Sequence, residues 1–553
     1  MAESGSEDRR NFITIRKQFL RHLSASDNVT ELSQRFGALD SNFERVDFVV
    51  ELWKASKIGV EFQSGGKSDE VAVKFREKGN EMFKIKKLKE AWEFYTRSIC
   101  YAEEESVNLG LAFANRSAVL FELNLHSQCL MDINRALEHH YPEHLKPKLF
   151  VREKNSKNLE LEAFTKPHDS VPVITDPNLK VQCAGSCLEV EEDEDFGRYV
   201  VAARDIKAGE VLAVEKPFVL LLVKHYLSHC HECVSLSYNL IPCKGCTSAL
   251  YCSQTCRDQA FQKYHKYECS ILATIRYLEL DKLKILPLRI AFLVKDHYNE
   301  IASLKVNPNE IYQSDRYTEI HNLVTNCSKR SVSDLFERAT AAAIIFTLVK
   351  DHTTFFEDLN EKTERVFKEI LLLHMQTGPS NFHEITELSP NSGTYQPEEV
   401  ASGAFAFLSL LNHSCCPNVT RFCYGSTLVL RAIQDIKKGE QCFDNYGYHH
   451  AVMTRSDRRE HLKSQYYFDC VCQACENDWG LYEDLPSVDD TELDDSVVEK
   501  LSAGEVRAAK DVLEKALEKL QVFQKLQPCK NFCQMQEIVK QCFAIFGNKR
   551  RIF

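Results

Sequence analysis

The sequence contains no uninterrupted apolar run of membrane-spanning length, so no stretch reads as a transmembrane helix. Its opening, MAESGSEDRR, carries acids and no apolar core follows it, which predicts no secretory signal. Positive charge is not in excess: 69 lysines and arginines face 80 aspartates and glutamates, a net charge of -11. That balance excludes broad, charge-driven binding to DNA or RNA and leaves only local basic patches to consider. At 553 residues the chain exceeds one compact core, so several units are expected.

Cysteine is what the sequence has in quantity, at 22. With no export signal, and with many cysteines in C-x-x-C pairs, reduced thiolates that hold metal are expected, in a cytoplasmic and nuclear protein. Eight metal-type residues lie between Cys230 and Cys269. Cys230–Cys233 and Cys243–Cys246 are C-x2-C pairs, Cys252–Cys256 is C-x3-C, and His265–Cys269 is H-x3-C. Zinc prefers four thiolate or imidazole ligands in a tetrahedron, and these spacings fit two ions. Such saturated sites fold a module and do not catalyse. Further on, Cys470, Cys472 and Cys475 form C-x-C-x2-C, which supplies three thiolates of a third site.

The rest of the chain divides by periodicity. Residues 1–65 read as a helical N-terminal region, with Phe12, Ile15, Phe19 and Leu23 at helical spacing, and Gly65-Gly66-Lys67-Ser68 reads as a linker. Residues 70–158 alternate helices and turns, with small Gly79, Ala91 and Ala118, aromatic Phe83, Tyr95 and Phe121, and Pro142 after the second pair. This pattern resembles tetratricopeptide repeats more than a plain helical bundle. A third pair begins at Leu145 and is expected to dissolve into the polar run KNSKNLELEAF. Pro167, Pro172 and Pro177 mark a connector. Strand-like runs follow over 181–225, turning at Gly209. Residues 271–380 read as helical, 400–448 as strands and loops, and 494–547 as amphipathic helices with Leu513, Leu517 and Leu520 on one face.

Five segments carry a resemblance. YCSQTC and YHKYEC in 230–269 resemble the MYND zinc finger, with Phe261 standing where a tryptophan is common. LNHSCCPN at 411–418 and GEQCFDNYG at 439–447 resemble the two signature segments of the SET methyltransferase fold, and DFGRYVVAARDIKAGEVL from Asp195 resembles its opening strands. A SET fold split by such a finger is the arrangement of the SET and MYND domain-containing family, which the chain resembles over roughly residues 70 to 545. The resemblance implies an α+β chain: SET parts at 181–225 and 381–448, the finger at 230–269, a helical insert at 271–380, a post-SET zinc segment at 449–480 and helical flanks.

It also implies ligand sets and roles. In the finger the pairs interleave, so Cys230, Cys233, Cys252 and Cys256 would hold one zinc and Cys243, Cys246, His265 and Cys269 the other. Cys415 would complete the third site with Cys470, Cys472 and Cys475, its neighbour Cys416 being the competing candidate. S-adenosylmethionine would be held by Gly197, Arg198, Asn381, Asn412 and His413, with Phe468 beside the lysine channel. Tyr446 would orient the amine and the methyl group. Tyr199 stands where the family has a second glycine, and its side chain is expected to crowd the cofactor.

The implied activity is protein-lysine N-methylation; the alternative is an adaptor of little or no activity. Partners implied are substrate proteins bearing the target lysine, proline-rich peptides at the finger and acidic chaperone tails at the repeats. The basic residues of the finger (Lys244, Arg257, Lys263, Lys266) read as a solvated face, and neither nucleic acid nor membrane is expected as a partner.

Overall fold

The computed structural model describes residues 11–25, 28–160, 170–194, 196–307, 310–357, 361–488 and 495–550. Pro167, Asp195 and the tail from Arg551 lie outside the described residues. The chain divides into two compact units, one of residues 1–166, 221–301 and 330–375, the other of 167–220, 302–329 and 376–553.

The first unit is mainly helical. Ser41 and Glu44 form a reciprocal cap that starts the helix Asn42–Ser56. Its Trp53 meets Phe19 of the helix Phe12–Ser24 edge-on at 5.3 Å, and Phe36 packs on Phe336 of the long helix Val332–His352 at 5.1 Å. Helices Asp69–Lys84, Leu88–Tyr101, Val107–Glu122 and His126–Glu138 pack on one another in sequence order. Gly79 is required there by close approach, because a Cβ on it would stand 2.5 Å from the Tyr95 ring.

Contrary to expectation, the described part of the polar run is helical, within a helix from Lys146 to Glu160; residues 161–164 lie outside the described residues. Tertiary contacts hold this helix, since Leu149 is buried and Arg152 donates to the Ala114 carbonyl at 3.0 Å and to Ser117 Oγ at 2.8 Å. The finger in this unit has short strands Ile241–Pro242 and Leu250–Tyr251, the helices Gln254–Ala260 and Lys266–Tyr277, and a wide helical turn over Phe261–His265 between them. Buried Arg116 joins the helices to it, pairing with Asp132 at 2.7 Å and donating to the Leu240 carbonyl at 2.8 Å.

The second unit is built of small sheets. Leu188–Asp193 and Gly197–Ala202 form an antiparallel hairpin. Thr427–Ala432 is the central strand between Val419–Tyr424 and Val211–Glu215, both antiparallel to it. Residues over 200 apart in sequence therefore share one sheet. Bridges Val201 to Gln441 and Ile206 to Ile436 reinforce that closure.

The segment after the helical insert differs from expectation. The helix Glu361–Asn381 runs through QTGPSN, and a hairpin of Phe382–Asn391 and Thr394–Ala404 follows that periodicity did not show. Its strands are mostly polar and bury residues chiefly near their paired base, so no apolar alternation marks them. The helices Val506–Phe523 and Lys530–Phe546 pack Leu520, Phe523, Met535 and Phe543 on sheet residues Phe422 and Val429. Lys549 lies over the Tyr395 ring at 4.0 Å, and Arg550 pairs with Glu398 at 2.7 Å. These two terminal basic residues are thus structural.

Candidate active site and metal centres

A cavity of about 1310 Å³ lies within the second unit, more than a drug-sized ligand needs. Its wall includes Gly197, Arg198, Asn381, Asn412, His413, Tyr446 and Phe468, so every residue expected to contact the donor meets here. They come from five separate stretches of chain.

Gly197 closes the first hairpin with φ +65°, a conformation glycine adopts without strain. A Cβ placed on it would meet nothing within 4 Å, so the backbone there faces open space. Arg198 donates to the Asn322 carbonyl at 2.8 Å. Tyr199 does not crowd the cavity, contrary to expectation. It is not among the lining residues, and its hydroxyl donates to Glu191 directly across the hairpin at 3.1 Å. The reason is strand alternation: Arg198 faces one side and Tyr199 the other.

Asn381 ends the helix Glu361–Asn381, and its amide donates to the Val324 and Thr377 carbonyls at 2.9 and 2.8 Å. Asn412 and His413 form a two-residue strand parallel to Phe443–Asp444. This pairing brings the two signature segments together. Asn412 Nδ2 donates to Gln441 Oε1 at 3.1 Å.

The imidazole of His413 is fully committed. Tyr446 N–H donates to Nδ1 at 3.0 Å, so Nδ1 carries the lone pair and the ring proton sits on Nε2. Nε2 lies 3.3 Å from Cys415 Sγ, where it donates. Burial pushes the His413 pKa down to about 4, so the ring is neutral at pH 7. Only the backbone of His413 is left to engage a cofactor.

Tyr446 donates its hydroxyl to the Leu411 carbonyl at 2.6 Å, and burial, with Asp444 nearby, pushes its pKa upward. It stays a neutral phenol. Sequence reading missed Tyr466, whose ring centroid is 4.7 Å from that of Tyr446 and which lines the same cavity. Its position at the end of the helix Arg455–Tyr466, shortly before the C-x-C motif, was the available signal. It also missed Glu215. This buried carboxylate accepts from the Phe407 and Leu408 amides at 2.8 and 2.9 Å and fixes the segment that leads into Asn412.

Three tetrads of ligand atoms lie within 4.8 Å of one another: Cys230, Cys233, Cys252 and Cys256; Cys243, Cys246, His265 and Cys269; and Cys415, Cys470, Cys472 and Cys475. A tetrahedral zinc with bonds of about 2.3 Å to sulfur implies sulfur separations of about 3.8 Å. The observed pairs are 3.6 Å for Cys233–Cys252, 3.8 Å for Cys243–Cys269 and 3.5 Å for Cys415–Cys475. The donor sets therefore fit zinc. Cys416 stands outside the third tetrad, facing Gln434 and Gln527.

His265 turns Nε2 to Cys243 at 3.2 Å and Nδ1 towards Glu268 at 3.7 Å. Arg289 holds that carboxylate in place with two bonds of 2.8 and 2.9 Å. A carboxylate behind a ligating histidine fixes its ring orientation.

A SET domain family model matches residues 197–447, the span that closes these sheets around the cavity. The chain carries a SET domain and is similar to SET and MYND domain proteins. It is 27% identical over 512 residues to the protein-lysine N-methyltransferase SMYD4 of Danio rerio, covering 76% of this chain and 67% of that one. The Homo sapiens protein of the same name is 25% identical over 546 residues, covering 75% and 68%. The histone-lysine N-methyltransferase ASHR1 of Arabidopsis thaliana is 27% identical over 293 residues, covering 53% of this chain and 55% of that one. The match to the SET domain begins at Gly197 and ends at Gly447, so its limits fall on the first hairpin and on the loop after Tyr446.

Proposed function

We propose that the chain is a protein-lysine N-methyltransferase that uses S-adenosylmethionine. The observation that carries this reading is the convergence of Gly197, Asn381, Asn412 and Tyr446 on one cavity. The donor supplies an electrophilic methyl group on a sulfonium. Four acids, Glu192, Asp435, Glu440 and Asp469, line the cavity against two basic residues, Arg198 and Lys525, an acidic balance that suits a cationic ligand.

The acceptor amine must be neutral to attack, and a lysine ammonium has a reference pKa of ~10.4. The dry surroundings of Tyr446 and Tyr466 favour loss of that proton. The new N–C bond forms as the C–S bond breaks, and the electron pair stays on sulfur. Tyr446 contributes by position. Its phenol is held neutral against the Leu411 carbonyl, and together these oxygens border the path of the amine.

The three tetrads take zinc in this reading, two in the finger and one in the post-SET segment. The two repeat-like helix pairs and the finger serve as docking modules for substrate or partner peptides, including proline-rich ones. The adaptor alternative rested on Tyr199, which is turned away from the cavity.

The test is transfer of a labelled methyl group to lysines of a proteome extract by the purified full chain. Tyr446→Phe is compared with the unaltered protein, and donor binding is followed by calorimetry. Transfer that Tyr446→Phe abolishes while donor binding persists supports the reading; no transfer to any lysine, or equal transfer by the variant, rejects it.

A further inference from the structure

Arg458 is fully buried in the helix Arg455–Tyr466. A buried guanidinium normally has a carboxylate beside it. Among the described residues Arg458 has none within ion-pair distance. Nη1 donates to the Met453 carbonyl at 2.6 Å, Nε has no hydrogen-bond partner, and Nη2 points at Cys475 Sγ at 3.6 Å. The groups whose charge bears on it are Cys415 and Cys475, two members of the third tetrad.

Four neutral thiols would leave this cation without an anion. A zinc ion held by four thiolates carries a net charge of about −2 and supplies one. The burial of the arginine and the burial of the tetrad thus explain each other.

We infer that Arg458 is the counter-charge of the post-SET metal centre and governs how firmly that centre keeps its ion. This rests on the reading of the third tetrad as a zinc site. An N–H donor on a ligating sulfur withdraws negative charge from it. The sulfur is then a poorer target for protons and oxidants, which are what displace the metal. The same helix presents Tyr466 to the cavity at its other end, with Leu462 buried between. Arg458 is therefore a positioning residue that links metal occupancy to the wall of the donor cavity. The finger centres differ. At the second of them the buried arginine, Arg289, is paired with Glu268, and that carboxylate faces the ligand His265.

The experiment counts zinc in the purified full chain and follows its release to a chromogenic chelator, with the two finger centres as internal references. Cys415→Ser identifies the equivalent that belongs to the third tetrad. In Arg458→Met that equivalent should leave about 10- to 100-fold faster while the other two leave at their original rates. Arg458→Gln serves if the methionine variant does not fold. Arg458→Lys, which keeps the charge, should release between the two extremes.

Release from Arg458→Met or Arg458→Gln at the original rate overturns the inference. So does equal acceleration of all three equivalents, which would mean a loosened fold, and so does a lysine variant as fast as the methionine one. An unaltered protein whose zinc content is unchanged by Cys415→Ser would instead reject the metal reading itself.

Discussion

Glu215 gives a prediction whose sign is unusual for a carboxylate. It ends the strand Val211–Glu215 fully buried, and it accepts from two backbone amides at 2.8 and 2.9 Å. Those amides favour the ionised form, whereas burial opposes it. Burial prevails, and the pKa is pushed up to about 7 from the usual 4.5. Below pH ~4.5 the group is protonated in both folded and unfolded chains. Between about 4.5 and 7 the unfolded chain gives up the proton while the folded one keeps it. Stability is therefore fully present at low pH and falls as pH rises through that window. A pKa raised from 4.5 to about 7 amounts to roughly 3 kcal/mol at pH 8.

Glu215→Gln removes the titrating group at a cost that does not depend on pH, because its Nε2 cannot accept the amide bond that one carboxylate oxygen takes. Whatever that constant cost, the variant should gain on the unaltered protein between pH 5 and pH 8. At roughly 2–4 °C per kcal/mol for a unit of this size, the difference in midpoint between variant and unaltered protein should move by about 5–10 °C in the variant's favour from pH 5 to pH 8. Thermal unfolding followed by circular dichroism at pH 5 and pH 8 measures this. A glutamine variant that is as destabilised at pH 8 as at pH 5 would show that the carboxylate is preferred when folded, and would refute the argument.

Tyr199→Gly should leave the calorimetric affinity for S-adenosylmethionine within about twofold, a tenfold gain in affinity being the result that restores the crowding expectation. Cys415→Ser should remove one zinc equivalent by elemental analysis and Cys416→Ser none; the reverse order would mean that the neighbouring thiol is the ligand. Arg116→Met leaves buried Asp132 with Arg135 alone and the Leu240 carbonyl without its donor, and should cost about 1–3 kcal/mol in the first unit, read as a lower midpoint in thermal unfolding. An unchanged midpoint would contradict the burial of that pair. Asn412→Ala should weaken donor binding about tenfold with the zinc content intact, and loss of zinc instead would place Asn412 in the fold and not in the binding site.

The sequence alone determined what depends on short spacing. The metal pairs were legible because C-x2-C and H-x3-C fix sulfur and nitrogen positions within one turn of chain. Helices over 12–56 and 69–138 were legible because their apolar residues repeat locally. The SET segments around Asn412 and Tyr446 were legible as motifs. Tertiary structure decided what depends on distant chain. The parallel pairing of Asn412–His413 with Phe443–Asp444 sets the tautomer of His413 and thereby couples Tyr446 to Cys415. Nothing local told Cys415 from Cys416, because adjacent residues differ only in which way the folded strand turns them. The same alternation removed Tyr199 from the cavity. Glu215 and Arg458 were silent in sequence because a buried charge has meaning only once its neighbours, contributed by other segments, have displaced water from around it.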